Sequence, residues 1–113
     1  VPQNLALEKI IIQYLPEVEE YLNELAYLLF QKEYFGFIEN SFDYVDEIVD
    51  FIEYNLPIFP FKKTPENLSQ LGSKYIFYKA NHTTTWYIFF ENLENRHIVT
   101  YITNSHSEIV QHL

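Results

Sequence analysis

The stretch SKYIFYKANHTTTWYIFFENLENRHIVTYITNSH, from Ser73 to His106, decides the fold because it contains three runs of residues typical of β-strands. The runs are rich in Tyr, Ile, Phe, Thr and Val, and the polar segments Ala80 to His82 and Glu91 to Asn95 separate them as turns. We predict three antiparallel strands, at about Lys74 to Lys79, Thr84 to Phe90 and His97 to Ile102. A sheet this small is marginal in water unless something packs on it, so the rest of the chain should cover one face.

Apolar residues recur at helical spacing in two segments of the first half, which predicts an antiparallel helical hairpin. The first helix should begin at Pro16, because proline suits the first turn, and end near Gln31 to Glu33. The second should span about Ile38 to Tyr54, after a tight reversal that Gly36 permits. The β-branched run Lys9 to Tyr14 precedes the hairpin and predicts a further strand, at the edge or in the middle of the sheet.

Residues 58–72 hold Pro60 and Pro65, follow Pro57 directly and predict a loop from the hairpin to the strands. One helical turn is expected there, with Thr64 as its N-cap and Pro65 at its first position. Ser107 to Leu113 predicts a short final helix. The whole pattern predicts one α+β domain over residues 1–113: an N-terminal strand and an antiparallel helical hairpin packed on a small antiparallel β-sheet, with residues 1–7 flexible.

Composition narrows the class of protein. The chain has no cysteine, which excludes disulfides and thiolate chemistry. It also lacks a signal-like start and an apolar run of about 20 residues, so we expect a cytoplasmic protein that does not contact a membrane. We expect no cofactor and no metal, because the spacing of the acids on the second helix, Asp43, Asp46, Glu47 and Asp50, is what any solvated helix face shows.

The net charge of −9 is unevenly distributed, because the acids crowd the helical half and the sheet half is nearly neutral. One interpretation is that the acids only solvate the outer faces of the helices. The other is that they repel nucleic acid from that side, or await a basic partner.

The order of strand, helical hairpin, proline-marked loop and three antiparallel strands resembles the RelE/ParE toxin superfamily of bacterial type II toxin–antitoxin systems. The most specific matches are KIIIQYLPEVEEYLNEL at Lys9 to Leu25, KEYFGFIENSFDYVDEIVDFI at Lys32 to Ile52, TTTWYIFF at Thr83 to Phe90 and YITNSH at Tyr101 to His106. The resemblance implies a toxin held by a cognate antitoxin.

Two activities occur among proteins of this kind, and both stay open here. One is a metal-free endoribonuclease, an mRNA interferase that cuts mRNA on the ribosome. The other is a non-catalytic protein of the same fold that binds a protein target, such as DNA gyrase. Nuclease members are basic and carry an arginine early in the second strand of the three, where this chain has Thr83, Thr84 and Thr85.

For the ribonuclease, the resemblance implies five candidate catalytic residues. Lys74 and Lys79 would hold the phosphate, His82 and His106 would transfer protons, and Tyr101 would stack on a base or act as an acid. The histidines and lysines each have a structural alternative, as solvent-facing loop histidines or as edge-strand lysines that prevent aggregation. The two lysines lie five positions apart, so a regular strand places them on opposite faces and at most one can serve a given site.

Overall fold

A computed structural model describes residues 10–33 and 35–113, which form an α+β fold, as the sequence predicts. The elements are β1 (Ile11–Tyr14), α1 (Pro16–Gln31), α2 (Ile38–Asn55), β2 (Lys62–Lys63), the 3-10 helix η1 (Glu66–Leu71), β3 (Lys74–Lys79), β4 (Thr85–Leu93), β5 (Arg96–Asn104) and the 3-10 helix η2 (Glu108–His112). The sheet has the order β1-β5-β4-β3-β2. β1 lies parallel to β5, and all other neighbours are antiparallel.

The three predicted strands of the second half are present, and β3 has the predicted bounds. β4 and β5 run further than predicted, because the turn between them holds only Glu94 and Asn95 and the ladder continues to Leu93 opposite Arg96. Glu94 makes this tight reversal with a φ of 56°. The wider turn predicted from Glu91 to Asn95 is therefore wrong at its first three residues.

The helical hairpin also follows the prediction, with two local corrections. α1 begins at Pro16 and α2 ends one residue beyond Tyr54. The tight reversal between the helices was expected at Gly36, but Gly36 does not adopt a positive φ. The residue with left-handed backbone near this connection is Glu33, with a φ of 62°. The N-terminal strand is an edge strand of the sheet. The flexible segment expected at residues 1–7 lies outside the described residues.

The loop before β3 holds two features that the sequence did not predict correctly. Lys62 and Lys63 form the short edge strand β2, which was missed. Pro65 takes the N-cap position of η1 without a side-chain bond, so the expected cap from Thr64 is wrong. The Thr64 hydroxyl is instead buried without a hydrogen-bond partner.

The main core lies between the helical hairpin and one face of the sheet. The sheet contributes Ile76, Trp86, Ile88, Phe90, Val99 and Ile102, and the helices contribute Val18, Leu22, Leu25, Ala26, Val45, Ile48 and Ile52. The indole Nε1 of Trp86 donates a 2.8 Å hydrogen bond to the hydroxyl of Tyr44 on α2, which satisfies the polar atom of a buried ring. The hydroxyl of Tyr14 on β1 likewise donates to the carboxylate of Glu53. No helix in the described ranges is both long enough and apolar enough to cross a bilayer.

The opposite face of the sheet carries a second layer of rings. Phe89 is fully buried there and contacts the rings of Tyr75 and Tyr101. The end of η1 packs on this face, because the Thr100 hydroxyl donates to the Leu71 carbonyl. Gly72 follows with a φ of 152°, so close to the sheet that a Cβ would lie 2.5 Å from the Thr100 hydroxyl and 2.9 Å from the Phe90 nitrogen. This close approach requires glycine.

Replacing Gly72 with alanine should therefore destabilise the protein by at least about 2 kcal/mol, because backbone and side chain must both move to admit the methyl group. Urea unfolding followed by far-UV circular dichroism measures the change. Gly36→Ala is the matched control, since a Cβ there meets nothing within 4 Å, and it should change stability by less than about 1 kcal/mol. Equal losses in both variants would contradict this role of Gly72.

His97 is a buried titratable group at the start of β5. Its ring lies 5.9 Å from that of Phe90, only 8% of the residue is exposed, and Nδ1 has no hydrogen-bond partner. Burial, and then the charge of Lys74, lower the pKa of His97 below its usual value. The unfolded chain therefore binds a proton near pH 6.5 that the folded protein resists, and stability should fall as the pH drops through that range.

The expected loss from His97 is at most about 1.4 kcal/mol per pH unit below pH 6.5. Urea unfolding at a series of pH values between about 5 and 7.5 measures the slope. His97→Gln should flatten the slope in this window. His82→Gln, at an exposed turn residue, should leave the slope unchanged. A slope that survives in His97→Gln would assign the acid sensitivity to other groups.

Candidate functional site

A cleft of about 710 Å³ opens at one end of the molecule, between the helical hairpin and the sheet. The second half of α1 and the first half of α2 form one side, and the β3–β4 turn and the end of β5 form the other. The lining residues used below are Tyr21, Leu25, Leu28, Leu29, Lys32, Tyr44, Glu47, Asn81, Thr84, Trp86, Asn104 and His106. Clefts of this size accommodate small ligands or the side chains of a partner.

The helix side of the cleft is mainly apolar. Leu28 and Leu29 lie three and four positions after Leu25, so α1 presents all three on one face. Leu25 is buried, whereas Leu28 is 40% exposed. Beside them lie the rings of Trp86 and Tyr44, with centroids 6.2 Å apart. This side therefore offers apolar surface that folding has not fully covered.

The sheet side is polar, and two asparagines shape it. The Asn81 side-chain oxygen accepts 2.9 Å hydrogen bonds from the backbone nitrogens of Thr83 and Thr84. The Asn104 side-chain oxygen accepts a 2.9 Å bond from the backbone nitrogen of His106. Both are turn bonds typical of asparagine. Because these bonds occupy the oxygens, each side chain keeps its NH₂ group as a donor for a ligand.

His106 stands at the polar rim of the cleft. Its Nε2 lies 3.1 Å from the hydroxyl of Thr84, so the last strand and the β3–β4 turn meet here through side chains. The Ser105 hydroxyl, in turn, accepts a 3.1 Å bond from the Thr85 nitrogen. The ring of His106 is exposed, which leaves Nδ1 accessible to a ligand.

The charges of the cleft nearly cancel, because Lys32 and Glu47 are its charged residues among those described. Burial, reinforced by the phenols of Tyr101 and Tyr44, raises the pKa of Tyr21 to about 12. The Tyr21 hydroxyl therefore stays protonated at neutral pH and remains a donor. Together with the NH₂ groups of Asn81 and Asn104, this hydroxyl gives the cleft hydrogen-bond donors that suit a ligand with carbonyl groups.

The structure brings some of the five predicted residues together and separates others. His106 lines the cleft, and His82 is exposed in the adjoining turn, three residues after Lys79. Lys74 begins β3, roughly 16 Å from Lys79 at about 3.3 Å per residue. Tyr101 does not line the cleft and contacts Phe89 on the other face of the sheet. No single catalytic cluster contains both lysines.

Several lining residues were missed in the sequence, notably Trp86, Tyr44 and the leucines of α1. The sequence pattern predicts that they belong to the core, and only the tertiary structure shows that one edge of this core is open. Asn81 and Asn104 had a detectable signal, since an asparagine two residues before a polar residue is typical of a side-chain turn.

No group of three histidine, aspartate or glutamate side chains suited to a metal occurs in residues 10–33 and 35–113. No protein-family model, curated protein or solved structure matches the chain. The geometry of the cleft and of the surrounding surface is therefore the basis for the proposals that follow.

Proposed function

We propose that this protein is a toxin-like protein of the RelE/ParE class that acts by binding a protein partner in the cleft, under the control of a cognate antitoxin. The order of the elements, with a strand, a helical hairpin and three antiparallel strands, supports the class. The target is a protein, as DNA gyrase is for the non-catalytic branch that the sequence resembles.

The composition of the cleft is the observation that favours binding of a protein over cleavage of RNA. Cleavage needs cations for the developing charge on the phosphate, close to groups that transfer protons. Here Lys32 is opposed by Glu47, and Lys74 lies at the far end of its strand. The exposed helix faces add further negative charge, which repels an RNA backbone.

A protein partner fits both sides of the cleft. Apolar side chains of the partner would pack against Leu28 and Leu29, removing their exposed surface from water. Carbonyl groups of the partner would accept hydrogen bonds from the NH₂ groups of Asn81 and Asn104. An apolar centre with a polar rim is typical of protein interfaces.

Leu28→Glu should abolish the activity, because it places a charge on the apolar side of the cleft where the partner packs. Inducible expression in a bacterium, with growth and transcripts followed, measures the outcome. The unaltered protein should arrest growth and leave transcripts intact, and Leu28→Glu should restore growth. In a binding assay with the captured target, affinity should fall at least about tenfold, or 1.4 kcal/mol.

Leu93→Glu is the matched control, because Leu93 is also an exposed leucine, at 52%, and lies outside the cleft. It should arrest growth like the unaltered protein. Circular dichroism of both purified variants checks that they fold. Growth arrest by folded Leu28→Glu at full strength would exclude the cleft as the target site.

The second candidate function is the metal-free ribonuclease, and the observation that favours it is the position of His106. An accessible imidazole 3.1 Å from a hydroxyl, at the rim of a cleft, is placed to transfer a proton. In this function Lys79 and His82, at the same end of the sheet, would face the phosphate, and the substrate would be mRNA on the ribosome.

Primer extension on transcripts from induced cells tests this second function. If the protein is a nuclease, transcripts should be cut, and His106→Ala should reduce cutting at least about a hundredfold by removing acid–base catalysis. Lys79→Ala should reduce it less, and His112→Ala, at an exposed residue outside the cleft, should leave it unchanged. Growth arrest with intact transcripts in every variant would exclude the nuclease and leave the binding function.

A further inference from the structure

The hydrogen-bond donors of the cleft come from four different elements. The turn bonds use only the side-chain oxygens of Asn81, in the β3–β4 turn, and Asn104, at the end of β5, so both NH₂ groups are available. The hydroxyl of Tyr21 on α1 is a third donor, because burial raises its pKa and keeps it protonated. Tyr44 on α2 is a fourth, since its oxygen accepts the bond from Trp86 and its hydrogen remains free to donate. A ligand therefore meets donors on both sides of the cleft.

The side-chain oxygens on the sheet side of the cleft are already engaged. The Asn81 oxygen accepts bonds from the Thr83 nitrogen, the Thr83 hydroxyl and the Thr84 nitrogen, each at 2.9 Å. The Asn104 oxygen accepts from the His106 nitrogen, and the Thr84 hydroxyl lies 3.1 Å from His106 Nε2. A partner segment with unpaired N–H groups, such as an extended strand, would bury N–H groups here at a cost in free energy.

The C-terminal end of a helix is the protein element that presents acceptors without donors. Its last four C=O groups have no partner within the helix, whereas the N–H groups of the same turn are paired. These carbonyls also carry the partial negative charge of the helix dipole. An apolar contact across the last turn is a common part of such an end. Unpaired carbonyls next to an apolar side chain match the polar and the apolar side of the cleft.

The two charged residues of the cleft fit the same element. Lys32 follows α1 directly, Glu47 lies on α2, and neither forms an ion pair with another residue in 10–33 and 35–113. The ammonium group of Lys32 favours the negative end of a helix dipole. Glu47 favours the lysine or arginine that is common in the last turn of a helix. A helix N-terminus does not fit, because its unpaired N–H groups would face the donors of the cleft.

A second copy of this chain does not supply the matching end. Neither α1 nor α2 has a basic residue in its last turn. The occupant is therefore a different protein, as the proposed function requires.

We propose that the cleft binds the C-terminal end of a helix of the partner protein, one with a lysine or arginine in its last turn and an apolar residue beside it. Carbonyl groups of that turn accept hydrogen bonds from Asn81 and Asn104, and the apolar residue packs on Leu28 and Leu29. The inference rests on the proposed function, because it names the part of the partner that enters the cleft.

Asn81→Asp combined with Asn104→Asp tests the donors without removing the turns. Aspartate keeps the oxygen that accepts the turn bonds and lacks the NH₂ group. The folded double variant should lose the growth arrest, because its carboxylates repel the carbonyl end of a helix. Asn67→Asp combined with Asn92→Asp is the matched control, since it adds the same charge at exposed asparagines outside the cleft, and it should still arrest growth.

This experiment separates the inference from the proposed function. If Leu28→Glu restores growth but the folded Asn81→Asp and Asn104→Asp variant still arrests it, the cleft remains the target site and the helix end is excluded. Circular dichroism of the purified variants checks that they fold.

Nuclear magnetic resonance with peptide probes tests the inference without the natural target. The main probe is a stapled helix of about 15 residues that ends in Lys, Gly and Leu, so that it carries a C-terminal turn. One comparison probe has the same composition, a proline that breaks the last turn, and a free terminal carboxylate. The other is a stapled helix with the same three residues at its N-terminus.

The main probe should shift the side-chain NH₂ signals of Asn81 and Asn104 at concentrations on the order of 1 mM, and the comparison probes should need at least about tenfold more. Glu47→Gln should weaken the main probe at least about twofold, and Asp50→Asn, at an exposed acid of the same helix outside the cleft, should not. No shift with the main probe, or equal shifts with the carboxylate peptide or the reversed helix, would overturn the proposal.

Discussion

The structure depends on the need to cover both faces of β4. Trp86, Ile88 and Phe90 are buried toward the helices, and Phe89, between the last two, is fully buried on the opposite face. A strand that is apolar on both faces cannot remain in a two-layer structure with one face in water. The helical hairpin supplies one cover, and η1 with the Gly72 approach supplies part of the other. The close contact at Gly72 follows from this requirement.

The cleft arises because the cover on the helix side is incomplete. Near the β3–β4 turn the cleft is lined by Trp86 of the sheet and Tyr44 of α2. The two asparagine turns then hold polar main chain in place on the sheet side of the opening, where the side chains of His106 and Thr84 meet. The result is a preformed site with one apolar and one polar side, which suits recognition better than it suits charge-stabilised chemistry.

Charge divides the molecule in the same way that the layers do. The acidic residues of α1 and α2 are exposed on the outer helix faces. Most of the lysine and arginine residues come later in the chain, on strands β2 and β3. The negative charge of the helices therefore disfavours anionic ligands on that side of the molecule.

The sequence by itself determined the class of fold and most of the elements, because local periodicity is visible without tertiary contacts. The 3.6-residue stripes of α1 and α2, the aromatic run of β3 and the β-branched run of β5 required nothing else. The sequence did not determine the turn at Glu94, the strand β2 or the uncapped start of η1. Those depend on pairing between residues that are distant in the chain, as Lys62 is from Tyr75.

The site was less predictable than the fold for the same reason. His106 was found because it stands alone in a polar segment after a strand. Trp86, Tyr44 and Leu28 carry no local signal that separates an open cleft from a closed core. Only the tertiary structure decided that Lys74 is remote from His106 and that the core is open at one end. Strand pairing sets the first and the packing of the helices on the sheet sets the second, and neither is visible in a run of neighbouring residues.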